Sequence, residues 1–202
     1  MPERGKLIVV SGPSGAGKST VISKVMENDS NIVFSISATT RAPRAYEHDG
    51  VEYQFVDMPA FEKMIANDEL LEYARYVDNY YGSPKKAVLD NLEGGRDVLF
   101  DIEVQGAMQI KKKCPEAILI FIIPSKFSEI ETRLRGRGSD DEDKIQKRIR
   151  AAKNECSMAQ NYDYIVINDY AEVAAGEVAA IIKAEKCRFS QRQKYLSEVC
   201  SL

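Results

Sequence analysis

The sequence predicts an α/β protein: a parallel sheet covered by helices on both faces, with a mixed α+β insert and a small charged segment set into it. Three observations predict this. Apolar runs of strand length alternate with segments of helical period along most of the 202 residues, as βα units require. Ala117 to Ile123 is apolar throughout and bounded by Pro115 and Pro124, the pattern of a strand buried on both faces. A glycine-rich turn, Ser11 to Ser19, stands between the first apolar run and the first helix.

The elements follow in order. Leu7 to Val10 is a short run of β-type residues, Thr20 to Glu27 is helical, and Ile32 to Ile36 is a second strand. From about Thr39 to Gly95 the chain turns polar and rich in tyrosine. Within it, Val51 to Val56 alternates like a strand with one wet face. Pro59 to Ala66 reads as a helix with Pro in its first turn. Ser83-Pro84 reads as another helix start, serine as cap and proline at the first position. Core texture returns at Val98 to Asp101, followed by a helix over Val104 to Lys112. After the apolar strand come a helix over Lys126 to Leu134 and a charged segment from Arg135 to Asp143. Ile145, Ile149, Ala152, Cys156 and Ala159 then mark an amphipathic helix. Tyr164 to Ile167 is the last strand, and Ala171 to Tyr195 one long last helix.

Composition narrows the function classes. Hydrophobic residues make up 44% and charged residues 29%, ordinary for a globular chain with a real core. The net charge of −3 argues against non-specific nucleic-acid binding. No apolar stretch approaches the length of a membrane span. The four cysteines form no CxxC pair, which speaks against structural zinc and fits a reducing, cytoplasmic setting.

The first chemical motif is Gly12-Pro13-Ser14-Gly15-Ala16-Gly17-Lys18-Ser19, followed by Thr20. It matches the phosphate loop G-x-x-x-x-G-K-[ST] in its required context of strand, turn and helix. The glycines let backbone N–H groups converge on phosphate oxygens, and the following helix adds its positive end. Lys18 reaches the β and γ phosphates, and Ser19 can ligate Mg²⁺. No N-K-x-D base-reading motif of the GTPase kind is present. A second anion site stands in the insert, where Arg41 and Arg44 flank the rigid Pro43. Guanidinium groups grip phosphate bidentately, and Tyr53, Tyr80, Tyr81 and Ser83 add hydroxyls nearby.

Ser37-Ala-Thr-Thr-Arg41-Ala-Pro-Arg44, Gly50-Val-Glu-Tyr53, Asn79-Tyr-Tyr81-Gly-Ser83 and Asp101-Ile-Glu-Val-Gln-Gly106 together resemble the guanylate kinase family, as do Gly136-Arg137-Gly138 and Val166-Ile-Asn168-Asp169. The likeness spans about residues 5 to 185. It implies a P-loop kinase core (residues 1–37, 97–134 and 160–202) binding ATP, a GMP-binding insert (38–96) and a lid region (135–159). It implies that Arg41, Arg44, Tyr53 and Tyr81 hold the GMP phosphate, and that Ser37, Glu72, Ser83, Asp101 and Glu103 read guanine. The chemistry agrees for Glu72: guanine N1–H and N2–H₂ are adjacent donors that one carboxylate can accept, and adenine offers neither. Arg137 and Arg148 are expected on the transferring group, with Lys18 and Arg41, and Arg133, Arg137 and Asn168 on ATP. Asp101 is expected either to place Mg²⁺ through water or to read the base. ATP with GMP or dGMP are the implied substrates. Tyr46 and Glu103 depart from the family pattern, Tyr46 standing where a small residue is frequent. The intact phosphate loop separates this chain from guanylate-kinase-like scaffold domains, and Glu72 with Ser37 argues against AMP, UMP or dTMP as acceptor.

Overall fold

The structure, a computed structural model, describes residues 3–76, 78–136 and 142–200. In chain order its core elements are β1 (Leu7–Ser11), α1 (Lys18–Asn28) and β2 (Ile32–Phe34). The insert carries β3 (Ala38–Thr39), β4 (Gln54–Phe55), α2 (Met58–Ala66), β5 (Leu70–Tyr76), β6 (Asn79–Pro84) and α3 (Lys85–Glu93). Then follow β7 (Asp97–Asp101), α4 (Val104–Lys113), β8 (Ile118–Ile123), α5 (Phe127–Gly136), α6 (Glu142–Ser157), β9 (Tyr164–Ile167), α7 (Ala171–Lys186) and α8 (Phe189–Cys200).

The larger sheet has the order β2-β7-β1-β8-β9, and every neighbouring pair is parallel. Strand alternation explains its two apolar faces. Ile8 and Val10 point to the layer of α1 and α7, against Val21, Ile22, Val178 and Ile182. Leu7 and Val9 point to the opposite layer, against Val88 and Leu92 of α3 and Ala107 and Ile110 of α4. Each such aliphatic side chain contributes about 1.5–3 kcal/mol when fully buried. The chain leaving β1 enters a helix on one face, and the chain leaving β7 enters a helix on the other. The crevice between their carboxyl ends is therefore the ligand-binding switch point of this sheet.

The smaller sheet has the order β4-β3-β6-β5. Its β5–β6 and β3–β6 pairs are antiparallel and its β3–β4 pair is parallel. Phe61 of α2, fully buried, closes one side of this sheet with Leu70 and Tyr80. Asp57 caps α2 by accepting from the Ala60 N–H at 2.8 Å.

Several expectations are corrected. Ser83 does not cap a helix. It lies in β6, fully buried, and α3 begins at Lys85 with Pro84 before it and no side-chain cap. A buried hydroxyl needs a partner, and Ser83 finds one in Glu72, not in a helix end. The strand expected over Val51 to Val56 shrinks to Gln54–Phe55, because Gly50 turns the chain at φ 77° and Asp49 accepts the Phe55 N–H. The second strand stops at Phe34, since Ala38–Thr39 already pair in the other sheet. The single last helix is two, α7 and α8, broken around Cys187. The apolar stripe Ala174, Ala175, Val178 and Ile182 of α7 reaches the core, whereas α8 beyond it is largely exposed. β5 carries no strand expectation at all, and it holds Glu72. No helix among the described residues is long and apolar enough to cross a membrane.

Candidate active site

At the end of β1 the phosphate loop wraps a cavity of about 420 Å³ whose walls include Gly12, Pro13, Ser14, Gly15, Gly17, Lys18, Ser19 and Thr20. Ala16 is buried beneath it. Glycine is required at Gly17: its φ is 84°, and a Cβ there would lie 2.5 Å from Asn168 Nδ2. The loop is braced from below. Asn168, 4% exposed, donates from Nδ2 to the Ala16 carbonyl at 2.7 Å. Arg133 reaches the Ala16 carbonyl from Nη1 at 3.3 Å and the Asn168 carbonyl from Nη2 at 3.4 Å. The Ala16 carbonyl is thus held from beneath, and the Ala16 N–H closes the turn on the Pro13 carbonyl at 3.0 Å. Lys18 folds over the loop and donates to the Gly12 carbonyl at 2.7 Å.

A second cavity, about 360 Å³, lies between the smaller sheet and the start of α4. Ser37, Tyr53, Glu72, Tyr81 and Gly106 line it, and it shares Asp101, Ile102 and Glu103 with the first. Glu72 is 5% exposed, and its Oε1 accepts from the Ser83 hydroxyl at 2.7 Å. Burial pushes its carboxyl up, while the hydrogen bonds from Ser83 oppose that. A Cβ on Gly106 would come within 2.8 Å of Glu72 Oε2, so a side chain there would displace the carboxylate. Asp101 is likewise pushed up by burial, with Lys18 pulling the other way. Two adjoining cavities, one built for polyphosphate and one carrying a buried carboxylate, are the arrangement a two-substrate phosphotransferase needs.

Comparison with known proteins agrees. The family profile described as "Guanylate kinase" matches residues 4–185. The chain belongs to the guanylate kinase family. It is 50% identical to the guanylate kinase of Latilactobacillus sakei subsp. sakei, covering 93% of each chain. It is 47% identical to that of Halalkalibacterium halodurans, covering 92% of this chain and 91% of the relative. Among solved structures it resembles guanylate kinase from Anaplasma phagocytophilum at 32% identity and a TM-score of 0.77, over 97% of this chain and 95% of that one.

Within this family member the phosphate-gripping set expected from the sequence is brought together in part. Tyr53 and Tyr81 meet edge to face with centroids 5.9 Å apart, and the Arg41 guanidinium lies over Tyr53 at 5.4 Å. Burial pushes the Tyr53 phenol up. Arg44 stands exposed on the rim. Arg148 sits half-buried on α6, and Arg137 lies outside the described residues. Arg133 is placed under the phosphate loop, against its carbonyls.

The sequence reading missed two carboxylates. Glu47 receives both ends of the Arg41 guanidinium, at 2.8 and 2.9 Å. Nothing in a polar loop marks a glutamate six residues on as that partner. Glu155 of α6 lines the first cavity, where burial and then Glu103 push its carboxyl up and Lys18 opposes them. Its position three residues after Ala152, beside the buried stripe, was the available signal.

Proposed function

We propose that the chain transfers the γ-phosphoryl group of ATP to the phosphate of GMP, and of dGMP, giving ADP and the diphosphate, a recycling step of purine nucleotide metabolism. The observation that carries this is the meeting of the phosphate-loop cavity and the Glu72 cavity at Asp101, Ile102 and Glu103. In this reading donor and acceptor occupy the two cavities side by side. In this reading residues 38–96 act as the GMP-binding insert and 135–159 as the lid.

The acceptor's second pKa is about 6, by analogy with phosphorylated side chains, so near neutrality it attacks as a dianion and needs no general base. The obstacle is repulsion between two polyanions. Lys18, Arg41 and Arg148 offset it by charge, with Arg44 and the phosphate-loop N–H groups holding the two phosphates in line. Glu72 accepts guanine N1–H and N2–H₂ through its remaining oxygen lone pairs. Ser37, Ser83 and Glu103 complete the base pocket. Ser19 and Asp101 offer hard oxygen donors to the first cavity, which suit Mg²⁺, and we assign them to hold it. A Mg²⁺ held by these residues would supply positive charge against that of the ATP phosphates. Closure of insert and lid excludes water, the competing acceptor.

A coupled ADP-release assay with Mg-ATP tests the reading across GMP, dGMP, AMP, UMP and dTMP. Turnover is expected with GMP and dGMP and not with the others. Equal turnover with AMP would remove the role given to Glu72, and ADP release independent of any monophosphate would make the chain a plain ATPase.

A further inference from the structure

The two arginines of the acceptor site are held from one turn. Arg44 to Glu47 closes on itself, with the Glu47 N–H donating to the Arg44 carbonyl at 3.0 Å and the Arg44 N–H donating to Glu47 Oε2 at 2.7 Å. Pro43, just before it, restricts the backbone further. From this turn two side chains reach back. The Glu47 carboxylate, 4% exposed, takes Arg41 end-on from Nη1 and Nη2. The Tyr46 hydroxyl accepts from Arg44 Nη1 at 3.1 Å. Arg41 Nη1 also donates to the Ala42 carbonyl at 2.8 Å, and the rings of Tyr53 and Phe55 lie 5.4 and 5.8 Å from its guanidinium carbon.

A guanidinium has five N–H donors in a planar fork. Glu47 and Ala42 occupy three of them on Arg41. The remaining pair, on Nε and Nη2, forms the other parallel edge, which suits two oxygens of one phosphate. Tyr81, a side-chain hydrogen-bond partner of the same guanidinium, adds its hydroxyl beside it. The carboxylate lowers the positive charge of the site, so its value must lie in orientation. Preset donors bind an anion without first losing side-chain freedom.

We propose that Tyr46 and Glu47 are positioning residues of the acceptor site, holding Arg44 and Arg41 in the orientations that receive the phosphomonoester. The proposal rests on the GMP reading above. It gives the departure at Tyr46 a purpose, because a small residue there has no hydroxyl to offer Arg44.

The test is steady-state kinetics of the full chain with GMP and ATP varied separately, for Tyr46→Phe, Glu47→Gln, Glu47→Asp and the base-site variant Glu72→Gln. Tyr46→Phe removes one exposed hydroxyl and is expected to raise KM for GMP about 3-fold, the size of a modest hydrogen bond. KM for ATP and the Tm stay unchanged. Glu47→Gln is expected to raise KM for GMP about 10-fold although it deletes a negative charge, since it breaks a charge-assisted bidentate pair. Glu47→Asp restores part of the loss. An unchanged or lower KM for GMP in Glu47→Gln would make Glu47 a competitor for Arg41 and overturn the proposal. Should Glu47→Gln fail to fold, an unchanged KM in Tyr46→Phe overturns it alone. If Glu72→Gln impairs GMP use while the Tyr46 and Glu47 variants do not, the proposal fails and the GMP reading stands. If none of them alters GMP use, both fail.

Discussion

In the proposed reading, base selection rests on one carboxylate, Glu72. Removed from water, it is held ionisable by the Ser83 hydroxyl and by whatever donors a ligand brings. Two hydrogen bonds from guanine to a charged acceptor contribute about 1.5–3 kcal/mol each. Glu72→Gln, which keeps the shape and loses the charge, is therefore expected to lower kcat/KM for GMP by at least about 100-fold, with KM for ATP unaffected. The same variant has a signature in stability. Burial raises the folded-state pKa above the ordinary 4.5, so between the two values the folded chain binds the proton that the unfolded chain has released. Stability attributable to this group is lost as pH rises through that window. The Tm of Glu72→Gln relative to the native chain should increase from pH 4.5 toward neutrality, read by thermal melts across pH. A flat difference would mean that burial leaves no charge penalty to relieve.

At the scale of elements, the phosphate loop depends on what lies beneath it. Three separate elements converge there: the turn after β1, Arg133 of α5, and Asn168 just past β9. The Asn168 N–H in turn donates to the Ile123 carbonyl at 2.7 Å, fixing it to the end of β8. Asn168→Ala would leave the buried Ala16 carbonyl with only the long contact from Arg133, at a cost of about 1–3 kcal/mol. We expect a lowered melting temperature and a several-fold higher KM for ATP with KM for GMP little changed, measured by denaturation and kinetics on one preparation. The pair of α5 and α6 forms its own small core, Ile130, Leu134, Ile145, Ile149 and Ala152. Arg135 of α5 also grips Glu142 of α6, with Nη2 to Oε1 at 2.9 Å. Arg148 and Glu155 stand two turns apart on this α6.

For the whole molecule, the decisive feature is where the sheets leave their ends. The larger sheet delivers the phosphate loop and Asp101 to one crevice, the smaller sheet brings Glu72 and Tyr81 to its rim, and the turn before β4 brings Tyr53. Asp101 borders both cavities. Asp101→Asn is accordingly expected to disturb both substrates, raising KM for ATP and for GMP and lowering kcat. Glu72→Gln and Asn168→Ala each act on one. An effect of Asp101→Asn confined to GMP would assign it to the base alone.

Much of this was legible in the chain. The phosphate loop is a local motif, and β1 and β8 declare their burial through unbroken apolar runs. The pairing of Glu72 with Ser83 was not, because the residues are 11 apart on neighbouring strands and touch only through the β5–β6 register. β5 itself was hidden, since Glu72 and Arg75 break its apolar pattern where it borders a site instead of a core. The break between α7 and α8 was hidden as well, because helical periodicity continues past the point where the core ends. The parallel core and the glycine-rich turn after β1 could be read from the chain alone, since they rest on local geometry and on which side chains avoid water. The bracing of the loop by Asn168 and Arg133 and the sharing of Asp101 by two cavities came only from the folded chain, because they join segments far apart in sequence, and the grip of Glu47 on Arg41 came from the fold of its loop.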